Sequence, residues 1–90
     1  MSLYISDDVI KAVDEEIDYA NSLPSDRTDG SEKTVGEYLV MLDTYLRKAK
    51  DEWTFNDGTE EARQEIRKIA AIALRCLEEH GAPHRLTDLL

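Results

Sequence analysis

Within the expected helices, Asp14 with Asp18, Glu15 with Asp18, and Glu61 with Glu65 stand at the three- or four-residue spacing that places side chains on one face. Such pairs on facing helices can hold Mg²⁺, which takes oxygen ligands and keeps several of its waters. Direction on the helical wheel works against most of them. Glu15 lies opposite the apolar stripe of its helix, Asp18 sits on a flank, and Asp14 shares its flank with Lys11, whose charge would neutralise it. Glu65 borders an apolar arc and is the best-placed single acid. The expectation is therefore solvated charges with intrahelical pairs such as Glu60 with Arg63, each worth a few tenths of a kcal/mol, and no dedicated metal site or cofactor.

His80 and His84 fall in His-Gly-Ala-Pro-His, but a zinc site needs further ligands, and the lone Cys76 on an apolar helical face is a poor one. At the end of a helix, His80 is expected to cap or pack. The chain contains no glycine-rich phosphate loop, no Gly-x-Ser-x-Gly and no credible Cys/His nucleophile pair. Arg47, Lys50, Arg63, Arg67 and Arg75 could form a strip that binds phosphates; balancing an acidic first helix is the simpler role. Aromatic residues offer a different lead. Trp53 and Phe55 lie at the end of one helix and in the following turn, Val40 projects opposite that helix's main stripe, and Met41 projects toward its side. These four residues are the candidate partner-binding set, for self-association or a partner helix. The plainer alternative is that Trp53 closes one end of the core.

The elements that would position these residues are three helices, about 6–21, 34–53 and 59–80, in an antiparallel all-α bundle. Ser6 is the expected N-cap of the first, with Asp7 and Asp8 suiting the positive end of the helix dipole. Its stripe is narrow: Val9, Ile10, Val13, Ile17 and Ala20. Thr34-Val35-Gly36-Glu37 fits a capping box at the start of the second helix, whose stripe runs Val35, Tyr38, Leu39, Leu42, Tyr45, Leu46, Ala49, Trp53. The turn from Thr54 to Gly58 makes helices two and three antiparallel neighbours. In the third helix Ala62, Ile66, Ile69, Ala73, Cys76 and Leu77 share a face. Ile72 on one flank and Ala70 and Leu74 on the other widen the apolar arc to roughly 200°. One neighbour needs an arc of only about 100°, so this helix is expected to be central, with Ala70, Ala71 and Ala73 allowing close approach. Gly81 is expected to end it in a left-handed cap. A polar loop at 22–33 and a tail at 84–90 complete one domain spanning 1–90.

Hydrophobic residues make up 41% of the 90 and charged residues 34%, an ordinary globular balance. Residues 1–32 hold nine acids against Lys11 and Arg27, a net of −7 out of −9 for the chain. Such a surface repels nucleic-acid backbones and anionic membranes, and an acidic solvated helix explains it better than mimicry of DNA. No stretch is long and apolar enough to span a bilayer, and one cysteine permits no internal disulfide, so a reduced cytoplasmic setting is expected. So small a domain buries a modest share of its surface, which favours a homodimer that completes the bundle.

Glu37-Tyr38-Leu39 opening one helix, and Glu65-Ile66-Arg67-Lys68-Ile69-Ala70-Ala71-Ile72-Ala73-Leu74 in the next, resemble small helical proteins of bacteriophages and prophages. Some of those look like distant relatives of MazG-type all-α nucleoside triphosphate pyrophosphohydrolases. The resemblance covers about half the chain. It implies Glu-x-x-Glu on one helix and Glu-x-x-Asp on the next, together binding Mg²⁺ in a dimeric bundle. Here Glu37 is followed three residues later by Val40, and Glu65 by Lys68, so the family's metal motif is not reproduced. The reading that follows is an acidic phage- or prophage-type helical protein acting by association rather than catalysis. The alternative is a divergent Mg²⁺-dependent pyrophosphohydrolase.

Overall fold

A computed structural model describes residues 4–24, 32–55 and 58–85. They form three helices, α1 (Asp7–Ser22), α2 (Val35–Phe55) and α3 (Thr59–His80), with no strand among the described residues.

The helix starts follow from capping chemistry. The Ser6 hydroxyl accepts the Val9 N–H at 3.3 Å, placing Ser6 just outside α1. At α2 the capping box closes in both directions. The Glu37 N–H donates to Thr34 Oγ1 at 3.1 Å, and the Thr34 N–H donates to Glu37 Oε1 at 3.1 Å. Gly58 precedes α3 without a side-chain cap, and the acids Glu60 and Glu61 occupy its first turn. The Gly58 N–H donates back to the Glu52 carbonyl at 2.9 Å, and a Cβ there would meet Glu61 Oε2 at 2.7 Å and Glu52 O at 3.3 Å. A side chain there would have to displace the Glu61 carboxylate and press on the Glu52 carbonyl.

Three boundaries differ from expectation. Ser22 continues α1, and α2 runs on through Thr54 and Phe55, shortening the expected turn; residues 56 and 57 lie outside the described residues. So do 25–31 of the expected loop and 86–90 of the expected tail. Gly81 does have positive φ, at 95°, but its ψ of 149° is extended rather than left-handed helical. The helix therefore ends on one bond from the Gly81 N–H to the Leu77 carbonyl, 2.8 Å, in a region that glycine alone enters freely.

α3 is the central helix: both α1 and α2 pack on it, whereas among the described residues no Cα of α1 comes within 8 Å of one in α2. Lys68 lies 5.6 Å from the centre of the Tyr45 ring and His80 stacks edge-on to Tyr38 at 6.1 Å, so α2 and α3 run antiparallel. Glu16 pairs with Arg67, and farther along Ile17 and Asn21 share a crevice with Leu74 and Leu77, so α1 runs alongside α3 in the same direction. The result is an up-down-up three-helix bundle.

The core is small. Its buried apolar residues are Tyr38, Ala49, Ala62, Ala71 and Ile72, and α1 buries none of its own. This corrects the face expected for α3. Ile66 and Leu77 are 53% and 44% exposed, whereas Ala71, on the opposite side from Ala62, is buried at the bottom of the trough that α1 and α2 flank. Among the described residues no helix is long and apolar enough to cross a membrane.

Candidate functional site

The polar candidates neutralise one another locally. Lys68 Nζ lies 3.4 Å from Glu65 Oε1, so the acid best placed for metal binding is engaged by the cation three residues on. The other oxygen, Glu65 Oε2, is buried without a hydrogen-bond partner. Arg67 Nη2 meets Glu16 Oε1 at 3.1 Å, one link of the expected basic strip that does reach the acidic first helix. Arg47 instead pairs along its own helix with Asp43 at 2.6 Å. Arg63 donates to the Thr59 carbonyl at 3.4 Å. Asp14, Glu15 and Asp18 are solvent-exposed. Among the described residues, no three His, Cys, Asp or Glu side chains converge where they could hold a metal ion.

Because α1 and α2 stand apart on α3, an open groove of about 690 Å³ runs between them over a floor of Ala71, Ile72 and Arg75. Tyr38 closes one wall. Its hydroxyl is buried, and desolvation first, then the neighbouring Glu79 carboxylate, hold its pKa up at about 12 against the opposing pull of Arg75. Hydroxyl and carboxylate are close without reaching the geometry of a full hydrogen bond. His80 behaves as a packing residue. Its Nε2 lies 2.7 Å from the Lys33 carbonyl, which can only accept, so this nitrogen carries the proton and pins the approach to α2 against the end of α3. Cys76 is a free, half-buried thiol.

The far side of the molecule has a different character. At about 100° per residue, Val35, Leu39, Leu42, Leu46 and Trp53 form a row along the flank of α2 turned away from the groove. Val35 is 46% exposed, Leu39 59%, Leu46 45% and Trp53 62%. The antiparallel register sets Leu39 level with Ala73 and Leu77 of α3, and Leu46 level with Ile66 and Ala70. The two rows form one face about 27 Å long. Its larger side chains are half exposed, and the small residues Ala70 and Ala73 fall between Ile66 and Leu77.

The four partner-binding candidates do not fall together. Trp53 stands at one end of this face, so it does not close the core. Met41 is half-buried and lines the groove, Val40 is 67% exposed on another side of α2, and Phe55 is 77% exposed at its end. Leu39, Leu46, Ile66 and Leu77 escaped notice as surface residues because their spacing marks them equally well as core. No protein-family model, curated protein or solved structure matches this chain.

Proposed function

We propose that this chain is a helical association module that works as a homodimer, holding protein to protein rather than turning over a substrate. The observation that carries the reading is the mismatch between core and surface. Two long amphipathic helices bury Tyr38, Ala49, Ala62, Ala71 and Ile72, while large apolar side chains on both remain about half exposed. Covering each is worth about 1 kcal/mol, and a monomer forgoes that gain. Two of the charged candidates are engaged locally, Glu65 by Lys68 and Glu16 by Arg67. Light scattering of the full chain over a wide concentration range tests the reading. A mass rising toward twice 10.3 kDa supports it. A monomer at every concentration overturns it.

A further inference from the structure

We propose that the groove between α1 and α2 binds a small organic monocarboxylate, whose carboxylate meets Arg75 and the Tyr38 hydroxyl and whose apolar body lies along the groove floor. The site stands independently of self-association, because it needs no second copy of the chain.

An unanswered cation is the first observation. Arg75 is half-buried in the groove floor, and its Nε is buried without a hydrogen-bond partner. Among the described residues Arg75 forms no hydrogen bond and no ion pair, unlike Arg47, Arg67 and Lys68. A guanidinium cannot shed its charge, so holding it half out of water without a partner is unfavourable, and an anion in the groove relieves this. The second observation is a neighbouring donor. Tyr38 is 1% exposed and lines the same groove, and its buried Oη also lacks a hydrogen-bond partner. Its raised pKa keeps the phenol protonated, so the hydroxyl has a proton to give. Arg75 is near enough to act on the ionisation of Tyr38, which places both donors at one end of the groove. A charged N–H and an O–H side by side suit an anionic oxygen acceptor.

Charge and shape narrow the class. Glu16, Glu32 and Glu79 line the groove against Lys33, Lys68 and Arg75, as many acids as bases. One negative charge is tolerated there, whereas a phosphate dianion would be held off by Glu79 beside the donors. The floor between the two ends is apolar, with Ala71 and Ile72 buried in it and Met41 on the wall. Lys68 and Tyr45 mark the far end, Nζ lying 5.6 Å from the ring centre. Tyr38 and Tyr45 are two helical turns apart on α2, so the apolar run is about 10 Å long. That length takes an aryl ring on a short chain.

Phenylbutyrate is a suitable probe for the full chain. Calorimetric titration should show saturable binding with a Kd of about 1 mM or tighter, and the Arg75 Nε–Hε resonance should shift as the probe is added. Phenylbutanamide keeps the body and loses the charge, so it should bind at least about tenfold more weakly. Inorganic phosphate should leave the Arg75 resonance in place. Arg75→Gln should weaken phenylbutyrate binding by about tenfold or more with helicity unchanged, and Tyr38→Phe by about threefold or more. Arg63→Gln, which removes a charge outside the groove, should leave binding unchanged. The resonance of Arg75 is read in the wild-type protein, so the answer does not hang on how the variants fold. Absence of saturable binding, equal binding of the amide, or an Arg75 resonance that stays still while phenylbutyrate binds overturns the assignment. A resonance that phosphate shifts and phenylbutyrate does not overturns it equally.

Discussion

Raising the pH should cost this protein stability through Tyr38 in a way that one substitution removes. The folded state holds the Tyr38 pKa at about 12, up from 10.0, by burial and by the Glu79 carboxylate. The neutral phenol is thus favoured in the native chain. Its contribution is fully present below pH 10 and is lost as pH rises from there through about 12. Two pKa units correspond to at most about 2.7 kcal/mol. The open groove beside the ring admits water and trims this to about 1–2 kcal/mol. Tyr38→Phe keeps the ring that packs against His80 and α3 and deletes only the titrating group. Urea unfolding at a series of alkaline pH values should show the wild-type midpoint falling by about 1–2 M more than that of Tyr38→Phe, given a slope near 1 kcal/mol per molar. The ultraviolet difference between the two proteins isolates the Tyr38 phenolate. Parallel loss of stability in both proteins, or a Tyr38 phenolate appearing at the ordinary tyrosine pKa with the fold intact, would refute the argument.

Thr34→Ala removes the side-chain acceptor of the α2 capping box and should cost about 1 kcal/mol, a fall in Tm of about 4–8 °C by calorimetry; an unchanged Tm would mean the cap is not formed in solution. Arg67→Ala should lower global stability by less than about 1 kcal/mol, since the pair with Glu16 is partly solvated. It should nevertheless speed amide hydrogen exchange across residues 7–22 relative to α2 and α3, and equal protection in all three helices would contradict the sparse packing of α1, which buries no residue. With a panel of nucleoside triphosphates and Mg²⁺ or Mn²⁺, no pyrophosphate should be released above the blank. Turnover that Glu65→Gln abolishes would instead establish the divergent pyrophosphohydrolase that the resemblance implies.

Helix number, capping and the central place of α3 were legible because each rests on local chemistry. Ser6, Thr34 with Glu37, and the breadth of the α3 arc need no knowledge of neighbours. What periodicity cannot report is which half of a stripe is covered. The α2 stripe reads as one core face, yet the structure divides it, turning Tyr38 and Ala49 inward and leaving Val35, Leu39, Leu46 and Trp53 outward. That division depends on where α3 crosses, a tertiary fact. Ala71 was visible only as a small residue suited to close approach, and it is core because it lies at the bottom of the trough that α1 and α2 flank. The raised pKa of Tyr38 depends on the register that brings Glu79 and Arg75 beside it, and that register lies between helices rather than within either. At Gly81 the residue type was readable from the sequence and its ψ was not.

That α1 rests on α3 alone has a consequence during synthesis. α1 leaves the ribosome first, yet the helix it packs on, α3, has still to emerge, and the backbone of α2 stays more than 8 Å away from it. At about 5–20 residues per second, the wait lasts roughly 3–12 seconds. A sixteen-residue helix with no buried residue is marginal in water by itself, so over this interval the segment is a solvated, fluctuating chain. Its acidic residues keep it dispersed until its partner arrives. Chains stalled just after Phe55 should therefore show α1 unstructured, and chains with α3 fully emerged should show it docked; the same order in reverse makes α1 the first element released when the folded protein is stressed.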